Sequence, residues 1–285
     1  MEQIAIFAKV HDPRCQGVAT ELITWLEQRG HRPLVEAHLA RHIGSGLGVS
    51  NQEMRELAAL VVVLGGDGTL ISVARLFSDR QVPIVGVNLG SLGFLTEITV
   101  EGLYPVLEQC LAGNHNVTER MMLDVAVTRG DTEIARCEVL NDAVINKGAI
   151  ARIIELEARV NDMFLTTYKA DGLIISTPTG STGYSLSAGG PIVQPMMHCT
   201  VITPICPHTL TNRPIVISDE SIIRLVVKSS FDEMVYLTLD GQVGVELQEG
   251  DCITVRRAET TTVLVTSPEK DYFAILRTKL KWNER

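Results

Sequence analysis

Six consecutive residues, Leu64-Gly65-Gly66-Asp67-Gly68-Thr69, set one carboxylate among three glycines at the end of an apolar run. That run, Ala58-Ala59-Leu60-Val61-Val62-Val63-Leu64, is continuously apolar and β-branched, as expected of a central strand in a parallel sheet buried on both faces. After the glycines the pattern becomes helical, with Leu70, Val73, Ala74 and Phe77 three or four apart. Glycine lets the backbone turn sharply and approach a ligand, and the free N–H groups at a helix start attract phosphate oxygens. No Gly-Lys-Ser/Thr follows, so this is not a P-loop, and the glycine spacing of a dinucleotide fingerprint is missing too. An acid in place of the P-loop lysine suggests a base or a metal ligand beside phosphates, and Asp67 is the candidate. The plainer alternative is a tight βα turn with Asp67 as its N-cap.

A second constellation spans Ala170 to Pro191, which reads as a strand followed by a loop packed with glycines and hydroxyls, among them Ser176, Thr177, Thr179, Ser181, Thr182, Ser185 and Ser187. Hydroxyls both donate and accept, so such a loop can read base edges, ribose hydroxyls and phosphate oxygens without adding charge, and few structural needs explain so many. Tyr184 can stack on or bond to a ring, and Asp171 can accept from a ribose or an amide. An ordinary turn-rich connection is the alternative. A third glycine-bearing loop, Asn88-Leu89-Gly90-Ser91-Leu92-Gly93-Phe94, follows another apolar run and is expected to face Asp67 across one crevice, unless its glycines only keep a connection flexible.

The elements that must position these residues alternate at first. Ile4 to Phe7 reads as a strand, Val18 to Gln28 as a helix closed by Gly30, Pro33 to Glu36 as a weaker strand, Glu53 to Leu57 as a short helix, and Val82 to Val87 as a further strand. Such an order implies a parallel sheet with helices on its faces and ligands at the strands' carboxyl ends, where Asp67 sits. Past a helix over Leu103 to Ala112 closed by Gly113, strands dominate: Leu123 to Thr128, Glu138 to Ile145, Ile153 to Val160, Leu173 to Ser176, Ile215 to Ile217, Ile222 to Val227, Val235 to Leu239 and Cys252 to Arg256. Many short strands suggest a sandwich. The fold class is therefore α/β plus all-β: a Rossmann-like α/β domain over residues 1–118, a β-sandwich over 119–265, and a C-terminal segment, 266–285, packing back on the first domain.

Composition narrows the functional classes. The 285 residues carry 45% hydrophobic and 21% charged side chains, the balance of a globular protein. A net charge of −9 disfavours nucleic acid as a partner, since affinity for its backbone depends on clustered Lys and Arg. The longest apolar runs are under ten residues and no signal pattern opens the chain, so a cytoplasmic protein without a membrane span is expected. The six cysteines are scattered, as for reduced thiols. His38 and His42 have the spacing of helical metal ligands but lack a third, and read as a solvated face; His208 is as easily structural, and Glu246 and Asp251 read as exposed hairpin charges.

Gly65-Gly66-Asp67-Gly68-Thr69, Asn88-x-Gly90-x-Leu92-Gly93-Phe94-Leu95, Leu140-Asn141-Asp142 and the Asp171 to Pro191 block together resemble the bacterial NAD kinase family. The first motif alone is shared with lipid kinases of the diacylglycerol type and, in similar form, with phosphofructokinases; the last is far more specific. The resemblance implies transfer of a phosphoryl group from ATP, with a divalent cation (Mg or Mn), to the 2′-hydroxyl of the adenosine ribose of NAD, by a homodimer or homotetramer. It implies Asp67 as base or orienting group. It further implies dinucleotide contacts from Gly66, Asp67, Gly68, Asn141, Asp142, Arg152, Lys169, Asp171, Thr182, Gly183, Tyr184, Ser185, Leu186, Ser187 and Gln242. In that light the Asn141 amide suits an adenine edge, Asp142 a ribose diol, and Arg152 and Lys169 the pyrophosphate or carboxamide side. Two departures stand out: Asn141-Asp142 where the family commonly has Asn-Glu, and Thr182-Gly183-Tyr184 where it has Thr-Ala-Tyr. A lipid kinase sharing the glycine loop and a non-catalytic NAD-binding sensor are the alternatives.

Overall fold

The computed structural model describes residues 1–46, 48–148, 153–228, 234–267 and 271–282. The chain divides into two compact units, residues 1–119 with 262–285, and residues 120–261.

In the first unit β1 (Gln3–Ala8), β2 (Arg32–Glu36), β3 (Gly48–Val49), β4 (Leu60–Gly65) and β5 (Ile84–Asn88) pair in parallel in the order β3-β2-β1-β4-β5, and β6 (Ile98–Thr99) adds to β5. All six residues of β4 are buried, because side chains from both faces of a central parallel strand must enter a core. One core gathers Ile4 and Ile6 of β1 and Leu60, Val62 and Leu64 of β4 against Leu22 and Leu26 of α1 (Cys15–Gln28). Leu103 and Leu107 of α5 (Leu103–Leu111) join the same core. Two short helices, α2 (Ala37–His42) and α3 (Asn51–Leu57), lie between β2 and β4 in the chain. The opposite face of the sheet takes α4 (Asp67–Leu76): Phe7 meets Phe77 edge-on at 6.1 Å, and Gly86 is packed so closely against Leu70 that a Cβ there would lie 2.5 Å from its side chain.

The second unit is a sandwich of two antiparallel sheets. One runs β14 (Ile215–Ser218), β13 (Cys199–Ile205), β12 (Gly172–Ser176), β9 (Asp142–Lys147), β16 (Val235–Leu239), β17 (Val243–Leu247). The other places β11 (Met163–Ala170), β10 (Ile154–Val160), β15 (Ile223–Val227) and β18 (Cys252–Val265) side by side, with β7 (Val117–Arg129) on β18 and β8 (Thr132–Val139) on β7. Leu156, Leu225 and Ile253 from one sheet and Ile145, Leu173, Ile202 and Leu237 from the other fill a common core. After α6 (Tyr184–Ser187) the chain enters β13; at its end, residues 262–265 of β18 rejoin the first unit, where Leu264 pairs with Ile84, and α7 (Tyr272–Leu280) completes that unit. Lys279 of α7 stands 5.6 Å from the Phe94 ring centroid, a cation–π tie within the first unit.

Several local expectations are corrected. The segment Glu138 to Ile145, read as a strand, is not one strand: it breaks at Leu140-Asn141 into β8 and β9. In the second unit β8, β11, β13 and β17 lie largely outside the segments read from periodicity, as do the short β3 and β6 of the first. Pro204 obscures β13, yet it lies past Ile202, the last residue that β14 pairs, so its missing N–H costs no ladder bond on that side. Two strands are long rather than short, β7 with 13 residues and β18 with 14. Asp251 is not an exposed hairpin charge: it is fully buried, accepting from Arg129 at 2.9 and 2.8 Å and from the Gln248 N–H at 2.8 Å. Burial by itself pushes its carboxyl up, and the Arg129 guanidinium with the Gln248 amide holds it below the usual carboxylate value. Asp251→Ala is expected to destabilise the sandwich by about 1–3 kcal/mol, the cost of orphaning buried hydrogen-bonding groups; denaturant unfolding of both proteins measures it, and equal midpoints would show the pair to be dispensable.

Candidate active site

The turn after β4 differs from a plain capped helix start. Gly66 is the N-cap residue and Asp67 the first residue of α4, so the side chain of Asp67 is not used to cap its own helix. It reaches instead to the loop after β5. Oδ1 accepts from the N–H groups of Leu95 (3.1 Å) and Thr96 (3.0 Å) and from the Thr96 hydroxyl (3.0 Å), and Oδ2 accepts from the Phe94 N–H (2.8 Å). Charge-assisted bonds of this kind are each worth about 1.5–3 kcal/mol. Oδ1 is therefore filled, while Oδ2, with one donor, keeps a lone pair for a proton or a cation.

Asn88 completes the arrangement: its amide nitrogen donates to the Thr96 hydroxyl (3.1 Å) and to the Ser91 carbonyl, and its oxygen accepts from the Gly90 N–H (2.5 Å). The loop over Asn88 to Thr96 and the glycine turn thus form one hydrogen-bonded body at the carboxyl ends of β4 and β5. Gly93 is required by space, since a Cβ there would sit 2.0 Å from Asp67 Oδ1. Gly65 is packed against Thr69 and Lys9, whereas Gly66 and Gly68 have nothing within 4 Å of an added Cβ, so their faces are open to a ligand.

A separate polar pocket of about 320 Å³ lies within the sandwich, lined by Asn141, Asp142, Val144, Asn146, Tyr184, Thr238, Asp240 and Gly241. Alternation along β9 puts Asp142, Val144 and Asn146 on one face. The Asn141 and Asn146 side-chain oxygens are buried with no hydrogen-bond partner among the described residues. The break between β8 and β9 is held by Asp240, whose carboxylate accepts the N–H groups of Leu140 (3.0 Å), Asn141 (2.7 Å) and Asp142 (3.2 Å). Burial, then the neighbouring Asp240 charge, push the Asp142 carboxyl up to about 7.

Most hydroxyls of the 176–187 block serve the fold, which corrects the expectation that few structural needs explain them. Thr177 Oγ1 donates to the Leu140 carbonyl (2.6 Å), and Ser176 and Ser181 donate to nearby carbonyls. Ser185 bonds to Thr203 (2.9 Å) in full burial, and Thr182 donates to the Thr179 carbonyl (3.3 Å). Gly180 lets this loop close on Asn141, whose carbonyl oxygen would be 2.2 Å from a Cβ. Gly183 lies beside the Asn141 amide nitrogen, 3.7 Å from where its Cβ would be. Tyr184, at 46% exposed, is among the residues lining the pocket, and Leu186 and Ser187 follow it on α6.

The remaining residues of the sequence reading are more scattered. Arg152 lies outside the described residues. Lys169 pairs with Glu155 (2.7 Å), and Asp171 with Lys147 (2.8 Å) beyond the Asn146 end of β9, where the Lys147 N–H donates to the Asp171 carbonyl. Gln242 closes the β16–β17 hairpin, its N–H donating to the Leu239 carbonyl (3.0 Å). His38 and His42 are exposed on α2, and among the described residues no three His, Cys, Asp or Glu side chains gather as a metal site. Asp240, Asn146 and Lys147 escaped the sequence reading. The Asp240-Gly241 pair does signal a hairpin turn, and both residues have positive φ (52° and 67°), but nothing in the spacing ties that turn to residues a hundred positions earlier.

A half-buried carboxylate on a glycine turn at the carboxyl edge of a doubly wound sheet, in a chain whose sandwich carries a polar pocket, is the arrangement of a small-molecule phosphotransferase. The ATP-NAD kinase N-terminal domain model matches residues 4–115 and the ATP-NAD kinase C-terminal domain model residues 140–267. The chain belongs to the NAD kinase family. It is 81% identical to an NAD kinase of Trichlorobacter lovleyi and 67% identical to one of Geobacter sulfurreducens, with 100% of both chains covered in each case. Among solved structures it is similar to yeast NADH kinase complexed with NADH, at a TM-score of 0.92 and 28% identity, covering 100% of this chain and 89% of that one. An NAD kinase from Archaeoglobus fulgidus in complex with ATP shares the fold, at a TM-score of 0.75 and 24% identity over 97% of this chain and 99% of that one.

Two outcomes follow from this geometry. Gly93→Ala is expected to separate Asp67 from the 94–96 loop and to destabilise the first unit by about 1–3 kcal/mol; an unfolding curve that overlays the wild type's would contradict the close approach. The Asp142 carboxyl, near 7 in the folded state against an ordinary 3.8, favours folding at acid pH; that contribution is whole below the ordinary value and is lost as pH rises through 7. Asp142→Asn should therefore gain stability over the wild type between pH 4 and 7, by about 1.4 kcal/mol for each pH unit, and hold the gain above pH 7. Melting curves at pH 4, 6 and 8 test this, and a constant difference would refute it.

Proposed function

We propose a division of roles for the reaction of the family, ATP-dependent phosphorylation of NAD to NADP. The first unit supplies the phosphoryl-transfer base and the second recognises the dinucleotide. Asp67 is the base: its Oδ2 takes the proton of the adenosine 2′-hydroxyl as that oxygen bonds to the terminal phosphorus of ATP and the bond from phosphorus to the bridging oxygen breaks, releasing ADP. The observation that carries this role is the four-donor cradle, which fills Oδ1 and leaves Oδ2 with capacity. Such a carboxylate is held in place before substrate arrives, as positioning-dominated phosphoryl transfer requires. Gly66 and Gly68, open above the start of α4, suit close approach of phosphate oxygens.

A divalent cation (Mg or Mn), carried by the nucleotide's phosphates, would neutralise charge on the transferred group. In the sandwich, Asn141, Asp142, Asn146 and Tyr184 are proposed to take the base and ribose of NAD, supported by the unpartnered amide oxygens that line their pocket. Arg152, Lys169, Asp171, Thr182, Gly183, Ser185, Leu186, Ser187 and Gln242 are assigned to the same substrate, Thr182 and Ser185 through the loop they hold in place rather than through free hydroxyls. The NADH bound to the yeast relative is in keeping with dinucleotide recognition by this fold.

We also propose a homodimer or homotetramer, with the exposed Met163, Phe164 and Leu165 at the start of β11 as apolar surface for assembly, and a cytoplasmic location, supported by six cysteines of which none is in a disulfide. No helix among the described residues is long and apolar enough to cross a membrane. Purified protein incubated with NAD, ATP and Mg²⁺ should form NADP, detected with an NADP-specific dehydrogenase. Asp67→Asn should lower kcat by about 100-fold or more, the scale of general-base catalysis, with KM for NAD little changed. A folded Asp67→Asn protein with near-normal kcat would overturn the assignment.

A further inference from the structure

Asp240 stands out among the buried charged groups that the proposed reaction does not use. Three successive backbone N–H groups, those of Leu140, Asn141 and Asp142, converge on its carboxylate, and its own N–H returns to the Asp142 carbonyl at 2.9 Å. The corner that separates β8 from β9 is thus built around one side chain supplied by the β16–β17 hairpin, and that corner carries two residues of the dinucleotide pocket. Asp240 is itself buried and lines the pocket beside Asp142. Unlike Asp240, the Asp142 carboxyl takes no hydrogen bond from the described residues, so it is left to the pocket and to whatever fills it.

We propose that Asp240 is a positioning residue of the dinucleotide site, which sets the Asn141-Asp142 corner and makes NAD binding respond to the charge on Asp142. The proposal rests on the reading that Asp142 contacts NAD. Two carboxylates in one buried pocket cannot both be ionised without cost, and three N–H donors compensate Asp240 while none compensates Asp142. The proton therefore goes to Asp142, whose carboxyl stands at about 7. No cation offsets the pair among the described residues that line the pocket. From α6 the titratable group is the Tyr184 phenol, β12 offers Ser176 opposite Asp142, β16 offers Thr238 and Leu239, and the Lys147–Asp171 ion pair lies at the far end of β9. A ribose diol donates to an ionised carboxylate, and the buried Asn141 and Asn146 oxygens are further acceptors without partners, so the pocket is matched to a donor-rich ligand. Protonating Asp142 removes an acceptor and adds a competing donor.

The test is the pH dependence of KM for NAD, from pH 6 to 9, with kcat measured alongside. In the wild type KM should rise several-fold as pH falls through about 7, without a matching change in kcat. Asp240→Asn removes the neighbouring charge while keeping an acceptor for two of the three amides; its KM rise should move at least one pH unit to the acid side. Asp240→Glu keeps the charge but misplaces the carboxylate, and should raise KM with the midpoint unmoved, which covers the case in which Asp240→Asn fails to fold. Asp142→Asn should raise KM and flatten its pH profile. A folded Asp240→Asn protein with the wild-type midpoint, or an Asp240→Glu protein with wild-type KM, overturns the proposal and leaves dinucleotide recognition intact. An Asp142→Asn protein with the wild-type KM and pH profile overturns the reading of Asp142 on which the proposal rests, and the proposal with it.

Discussion

Backbone amides gathered by a carboxylate do most of the organising in both units. Phe94, Leu95 and Thr96 point their N–H groups at Asp67, and Leu140, Asn141 and Asp142 point theirs at Asp240. In each case a stretch of chain that leaves a strand has amides with no ladder partner, and an unpaired buried amide costs as much as a lost hydrogen bond. A carboxylate satisfies several of them at once, and so an irregular loop acquires a single conformation. The loops after β5 and β8 are held in place for that reason.

This constraint explains where glycine is needed. Gly93 lets the loop come within contact of Asp67, and Gly180 lets the hydroxyl-rich loop close on the Asn141 carbonyl. Both positions are set by close approach of backbone to a polar group, and neither has a positive φ. The same economy governs the hydroxyls. Thr177 and Ser181 satisfy the Leu140 and Pro178 carbonyls and Ser185 bonds to Thr203 on β13, while the amide oxygens of Asn141 and Asn146 stay without partners among the described residues.

The two carboxylates differ in what their surroundings ask of them. Asp67 is half-buried, with a filled oxygen and an open one, an arrangement suited to receiving a proton at a fixed point. Asp240 uses its oxygens on the backbone, and its charge falls on Asp142 instead. One acid is the proposed base of the phosphoryl transfer. The other shapes a pocket whose own acid is poised near neutrality.

Much of this was legible in the residues themselves. The apolar strand ending at Leu64, the glycine turn with its lone acid, the second glycine loop after Val87 and the polar block after Ser176 are local patterns, and strand-to-helix periodicity is a local property of the chain. The α/β unit, the sandwich and the return of the last helix to the first unit follow from those patterns. Tertiary structure alone decided that Asp67 is spent on the 94–96 amides, that most hydroxyls of the 176–187 block are structural, that Asp251 is buried against Arg129, and that Asp240 folds a corner a hundred residues away. Periodicity reports which face of an element is buried. It does not report which distant side chain will satisfy the amides where an element ends, because that partner is selected by which strands pair across the sheet and not by its neighbours in sequence.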